Sequence, residues 1–331
     1  MNMNAKQSQR GFTLTEMMVS VALGIFIITG MVQLYTSNAQ YYRVQENLSR
    51  LQENGRFALH LLANDITAAG YIGCAPPLDT DIINQLLAAD SYDVDDEIVG
   101  SEAITATEWA PTLFATGITA IGAVGGSDII TIRKAIGAGT SITAHATAAA
   151  DLEVADFSGF KIDDIVLAEN CEETTIFKIS GITGAGEIQH STSSNITADL
   201  AAIYDNDAYL YKLLSRTYFI RNNSVGQPAL YRKDRDNALS EELIEGIEAM
   251  QIIYGEDTDS SGSPNTYLTA DNVGDMNNIV SIRISLLVRT LEDNIATEAV
   301  PYTIFGVTTT PDDLVIRRVF TTTIAIRNNL S

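Results

Sequence analysis

Residues 10–35 read RGFTLTEMMVSVALGIFIITGMVQLY, and their one carboxylate, Glu16, decides how the chain is organised. From Phe12 to Tyr35 no other side chain is charged and most are apolar. A helix over this run is about 36 Å long, enough to cross a hydrocarbon core of about 30 Å. Lys6 and Arg10 stand in front of it, so the positive-inside tendency places the N-terminus in the cytoplasm and the rest of the chain outside. Three readings fit such a run. One is a cleavable secretory signal cut after Ser37-Asn38-Ala39, which leaves Gln40 first; another is a plain single-pass anchor; the third is a leader cut in front of the apolar run. A carboxylate costs roughly 2.5–3.5 kcal/mol at the bilayer centre and less near the interface. Neither a secretory signal nor a plain anchor has a use for it. A carboxylate at a helix N-terminus is also tolerated simply because the helix dipole and the headgroups favour it there.

Beyond Tyr35 the pattern becomes amphipathic. Val44, Leu48, Leu51, Gly55, Ala58, Leu62 and Ile66 recur at helical spacing, while Arg43, Glu46, Arg50, Glu53 and Arg56 fall off that stripe. No proline occurs before Pro76, and Gly70 is a candidate left-handed cap ahead of Gly73 and Pro76-Pro77. One helix over 12–69 is therefore expected, roughly 87 Å long. Its first half is apolar all round and its second half on one face. Gly24 and Gly30 are the weak points within the first half.

The remainder reads as β-rich. Runs of β-branched and aromatic residues occupy 128–133, 164–168, 174–179, 209–221, 247–254, 280–289 and 317–326, bounded by Gly, Asn and Ser turns. Val280, Ile282, Ile284, Leu286 and Val288 alternate, as an antiparallel strand with one face on the helix requires. Residues 135–150, mostly Ala, Gly, Thr and Ser, read as a loop or weak edge, and Glu241–Glu245 as a short helix. The fold class expected is α+β: a long N-terminal helix packed on a C-terminal antiparallel domain.

The net charge is -22, and all of it falls on residues 71–331, since 1–70 hold five basic and four acidic side chains. Such a surface repels phosphate backbones, which argues against nucleic acid as a partner. The two cysteines, Cys74 and Cys171, lie in no metal-ligand spacing. On an exported domain they can pair, pinning the helix exit to a strand. His60, His145 and His190 stand apart in sequence, and no GxSxG, HExxH or phosphate loop occurs. Trp109 reads as a packing residue. The loop Glu256 to Gly262 has part of a calcium-loop pattern but carries Leu268 where the bidentate glutamate belongs. The residues point to a structural subunit without a cofactor or a metal.

Gly11-Phe12-Thr13-Leu14-Thr15-Glu16 resembles the type IV prepilin cleavage and methylation motif. The resemblance implies cutting after Gly11 by a prepilin peptidase, which also methylates the new amine of Phe12. The apolar helix then stays in the mature chain, and Glu16 pairs with the ammonium of a neighbouring subunit in a filament core. The body resembles the PilW family of minor pilins, in Ala69 to Cys74, Asp164 to Phe177, Tyr218 to Arg232, Leu243 to Gly255, Val280 to Arg289 and Arg318 to Asn328. Residues 78–125 and 135–160 match nothing in that pattern. The resemblance implies the type IV pilin fold with a leader (1–11), a membrane and filament-core helix (12–35), its amphipathic continuation (36–70) and an extracytoplasmic domain (71–331). It also implies a low-copy subunit at or near the pilus tip that helps start assembly. Its partners would be the other minor pilins and the major pilin, the inner-membrane assembly platform and a PilY-type tip adhesin. Two alternatives share the leader: a J-type minor pseudopilin of type II secretion, and a tip-displayed adhesin using 78–125.

Overall fold

In a computed structural model, residues 11–74, 82–87, 97–105, 107–111, 121–205 and 207–327 are described. The basic flank Lys6 and Arg10, the Pro76-Pro77 pair and the final Asn328 lie outside them. Helix α1 runs Leu14–Thr67, and Gly70 follows with φ 71°, the left-handed backbone expected of its cap. Contacts divide the chain into Met1–Arg50 and Leu51–Ser331. The first unit carries the exposed apolar part of α1, the one helix among the described residues long and apolar enough to cross a membrane.

The second unit is built of strands around the last turns of α1. In chain order come β1 (Ile82–Asn84), β2 (Ile98–Ala103), β3 (Trp109–Ala110), β4 (Ile129–Ala144), β5 (Leu152–Val154) and β6 (Ile165–Glu169). There follow β7 (Thr174–Lys178), β8 (Gly181–Ile182), β9 (Glu187–Gln189), β10 (Tyr209–Asn222), β11 (Pro228–Asp234) and β12 (Glu241–Glu245). The chain closes with β13 (Ile247–Glu256), β14 (Thr266–Leu268), β15 (Ile279–Arg289), β16 (Tyr302–Ile304), β17 (Val307–Thr309) and β18 (Arg317–Ala325). One sheet has the path β1-β7-β6-β10-β4-β5-β9-β8, with β11–β12 continuing from β10 and β2–β3 from β4. A second sheet has the order β14-β13-β15-β18, and β16–β17 is a separate hairpin.

The main core explains the helical stripe. Leu51, Ala58, Leu62 and Ile66 are buried with Ile252 and Tyr254 of β13, Ile282, Ile284, Leu286 and Val288 of β15, and Ile130, Tyr218 and Leu230 from the larger sheet. Gly55 belongs to the stripe because a Cβ there would stand 2.6 Å from the Phe320 ring of β18. A second core, with Ile142, Val166, Phe177, Ile188 and Tyr204, lies under residues 142–210. Trp109 is buried in a third cluster, its indole N–H donating to the Ser127 carbonyl at 2.9 Å.

Two expectations need correction. Residues 135–144 are not a loop: β4 continues through them because β10 supplies a ladder, Leu213 opposite Ala135 and Leu210 opposite Thr140. The pairing slips between Leu210 and Lys212, where Gly137 and Gly139 take φ of 78° and 70°. A Cβ at Gly139 would meet the Tyr211 ring at 2.7 Å, so small residues are what let this strand pass. Glu241–Glu245 is strand β12, not a helix. Five residues are too few to repay helix nucleation, whereas β11 offers immediate pairing. Arg232 meets Glu241 at 2.6 Å, and the Tyr231 hydroxyl donates to Glu242 at 3.0 Å across that ladder.

Candidate functional site

Gly11 and Phe12 precede the first helical turn. The space around Gly11 is open and Phe12 is 85% exposed. Glu16 closes that turn on itself. Its Oε2 accepts the Thr13 N–H at 3.0 Å and the Thr13 hydroxyl at 2.9 Å, while Glu16 N–H meets Thr13 Oγ1 at 3.3 Å. This is a reciprocal capping box, threonine at the cap and glutamate three residues on. The Thr-x-x-Glu spacing was visible in the sequence and gives Glu16 a local role beside any intermolecular one. Side chains from Phe12 through Tyr35 stand exposed along the helix.

The other grouping lies where the chain leaves α1. Cys74 follows Gly73, and Cys171 sits in the turn between β6 and β7 with φ 66°. The two form a disulfide, Cα–Cα 5.2 Å, across 97 residues of sequence. Against it lies Glu169, the last residue of β6, which the sequence reading passed over. The carboxyl is fully buried; its Oε2 accepts the Cys171 N–H at 3.0 Å and stands 2.6 Å from Cys74 Sγ. Oε1 meets no donor at hydrogen-bond geometry. Burial raises the Glu169 pKa against the opposing pull of the Cys171 and Cys74 backbone and the Tyr211 hydroxyl. Ligand atoms of Cys74, Glu169 and Cys171 lie within 4.8 Å of one another, the spacing of a metal group. The disulfide consumes both thiolates, which leaves one carboxylate to offer a cation.

Two further clusters bring together residues far apart in sequence. Asp128 lies between the sheets, accepting N–H groups from Ala103 at 3.1 Å and from Ile252 at 2.7 Å. Glu102 lies close enough for the two carboxyls to act on each other. Burial, then the charges of Asp128 and Asp271, push the Glu102 carboxyl up to about 8, and burial also raises Asp128. The Tyr254 hydroxyl lies buried beside them, raised by burial and by both carboxyls. Because the folded state holds protons here that the unfolded chain releases near its ordinary carboxylate range, stability is fullest below about pH 4.5 for this pair and falls as pH rises towards 8. Melting temperature followed from pH 5 to pH 8 should decline for the wild type. Glu102→Gln, a neutral amide in place of the protonated acid, should flatten that decline; an unchanged slope would show that Glu102 is not the source.

His145 and His190, separate in sequence, have ring centroids 5.9 Å apart. His190 bridges two loops, its nitrogens 2.9 Å from the Ala198 carbonyl and 2.7 Å from that of Ala150. Burial, then the neighbouring His190, lowers the His145 pKa, and its Nδ1 accepts the Tyr204 N–H at 3.0 Å. These contacts tie loops of the second core together. In the 256–262 loop the Asp257 carboxylate is taken by backbone N–H groups of Asp259, Ser261 and Gly262, and Leu268 is part of β14.

Two family profiles match the chain. Residues 6–32 match the prokaryotic N-terminal methylation motif. Residues 217–328 match the family described as type IV pilus-assembly protein W. The second match takes in the last six residues of β10 and all of β11 to β18, so it covers the whole smaller sheet. The disulfide and the second core lie outside both matches. No curated protein and no solved structure is significantly similar to the chain.

Proposed function

We propose, starting from a type IV pilus minor pilin with the PilW region at 217–328 and the methylation motif at 6–32, that this subunit helps start pilus assembly and stays at or near the tip. The observation that carries the pilin reading is the methylation-motif match over residues 6–32, which spans Gly11, Phe12 and the start of an exposed apolar helix. Cleavage after Gly11 removes the leader 1–11 and leaves an N-methylated Phe12. Residues 12–35 hold the chain in the inner membrane until they enter the filament core, 36–70 continue the helix, and 71–331 face outward. The proposed partners are the other minor pilins and the major pilin through the helix, the assembly platform, and a tip adhesin of the PilY type. PilW is a structural assembly family, which agrees with a non-enzymatic subunit. Tip placement follows from bulk and charge: a large acidic domain tiles poorly in a repeating lattice and is accommodated most easily where nothing stacks above it.

Deletion of the gene, with quantitative proteomics of sheared pili from the parent, tests this. Pili should be lost or sparse in the deletion strain. In the parent, the protein should be far scarcer than the major subunit and begin at N-methyl-Phe12. Intact piliation, or an abundance like that of the major subunit, would refute the initiation role. Failure of type II secretion with normal pili would replace it with the J-type pseudopilin role.

Glu16 can now be tested for two roles at once. Glu16→Gln keeps an oxygen for the Thr13 N–H and so keeps the cap, but removes the charge. A charge pair excluded from water strongly favours the register that matches it. Incorporation of Glu16→Gln into pili should therefore fall as far as that of Glu16→Ala, with cleavage intact. If Glu16→Gln assembled normally while Glu16→Ala failed, capping alone would explain the residue.

A further inference from the structure

A disulfide offers a neighbouring carboxylate nothing to bond, yet Glu169 is buried against one. Its Oε2 stands 2.6 Å from Cys74 Sγ, and its Oε1 meets no donor at hydrogen-bond geometry. Neither sulfur of a disulfide carries a proton, so this contact does not offset the cost of burying the carboxyl. Buried polar groups left this way call for a reason, and a redox role is one. With the bond open, the Cys74 thiol is a second donor for Oε2, beside the Cys171 N–H. Cys171 is placed differently, since it is its backbone N–H that occupies Oε2. Both cysteines are exposed, so an external sulfur can reach them.

We propose that Glu169 is the proton acceptor that closes and reopens the Cys74–Cys171 bond, making it an exchangeable disulfide rather than a passive staple. The oxidant is an external disulfide, of the glutathione or oxidoreductase class. It first forms a mixed disulfide with Cys171. The Cys74 thiol then gives its proton to Glu169 Oε2, and the thiolate attacks Cys171 Sγ. The Cys74–Cys171 bond forms, the bond from Cys171 to the oxidant breaks, and the oxidant's sulfur leaves as a thiolate. Two protein thiols are oxidised and one external disulfide is reduced to two thiols. In reverse, an external thiolate attacks Cys171 and Glu169 returns the proton to Cys74. A free thiol has a pKa of about 8.5. Burial raises the carboxyl towards it, so transfer from the thiol is less uphill than to an ordinary carboxylate.

The test uses the full chain in detergent, reduced, freed of reductant and reoxidised with glutathione disulfide at pH 6 to 9. Alkylation and intact mass follow the mixed disulfide and the closed form separately. A positioned base contributes on the order of 100-fold or more, so Glu169→Gln should close at least about 10-fold more slowly at pH 6 to 7. The gap should narrow by pH 9, where the thiol ionises by itself, and formation of the mixed disulfide should be unchanged. Equal rates, or an equal slowing at every pH, would overturn the proposal, the latter by showing a merely structural effect. Should Glu169→Gln fail to fold, the wild-type profile still decides. Assisted closure rises by clearly less than tenfold per pH unit from pH 6 to 8, whereas closure rising about tenfold per pH unit, as for an unassisted thiol, would overturn it.

Discussion

Replacing both cysteines with serine should lower the stability of the protein by about 3–5 kcal/mol. The bond joins Cys74 to Cys171 across 97 residues, and between them lie β1 to β6 and part of the second core. Loop-closure entropy for a ring of that size is about 4–5 kcal/mol, an upper figure, since strain and residual structure in the unfolded chain reduce it. The bond also fixes where the chain turns out of α1. Ile72, two residues before Cys74, is buried with Leu167, Ile176 and Tyr211 on strands on either side of the bond. Urea unfolding of the detergent-extracted double variant measures the loss against the oxidised wild type. A loss below about 1 kcal/mol would mean that the cores at 142–210 hold the helix exit without the covalent link.

What the sequence revealed depended on how local its cause was. The long helix was legible because its apolar run, stripe and closing glycine are consecutive in the chain. Strands β6, β7, β10, β13, β15 and β18 were legible because each is a run rich in β-branched and aromatic residues bounded by turn residues. The tail of β4 was not, because Ala, Gly and Thr there are chosen for the Tyr211 ring crossing over them from β10, about 70 residues away. In β12 the Glu-rich string resembles a helix until β11 is placed beside it. The same division holds at the sites. Gly11, Phe12 and Glu16 stand together in one short string within the matched motif, and the capping box was equally local. Glu169, two residues before Cys171, looked like one acid among several in AENCEE; only folding sets it beside Cys74. Glu102 and Asp128 likewise meet only through the pairing of β2 with β4.

Asp65 is the residue whose importance was most thoroughly hidden, and Asp65→Ala should cost about 3–5 kcal/mol. It lies one helical turn beyond Leu62 and beside Ile66, at the margin of the apolar stripe, where a charge must find partners. It finds three. Lys134 Nζ of β4 lies 2.9 Å from Oδ1, Arg216 Nη1 of β10 lies 2.9 Å from Oδ2, and the Tyr218 hydroxyl donates to Oδ2 at 2.5 Å. Arg216 is also held by both oxygens of Asp234 on β11, at 2.7 and 3.0 Å. The network thus pins the last turns of the helix to three adjacent strands. Burial alone would raise the Asp65 pKa, but hydrogen bonds from Tyr218, Arg216 and Lys134 outweigh it and hold the carboxyl below its ordinary value. Its contribution is therefore complete above the ordinary carboxylate range and is lost as pH falls through the folded-state pKa, the opposite sense to the Glu102–Asp128 pair. Removing Asp65 leaves Lys134 and Arg216 partly buried and short of negative charge, which is costlier than never having had the pair. Asp65→Asn, which keeps an acceptor but no charge, should lose less than the alanine variant. Urea unfolding at pH 7 measures both. If Asp65→Ala unfolded within about 1 kcal/mol of the wild type, apolar packing of Leu62 and Ile66 alone would be what seats the helix.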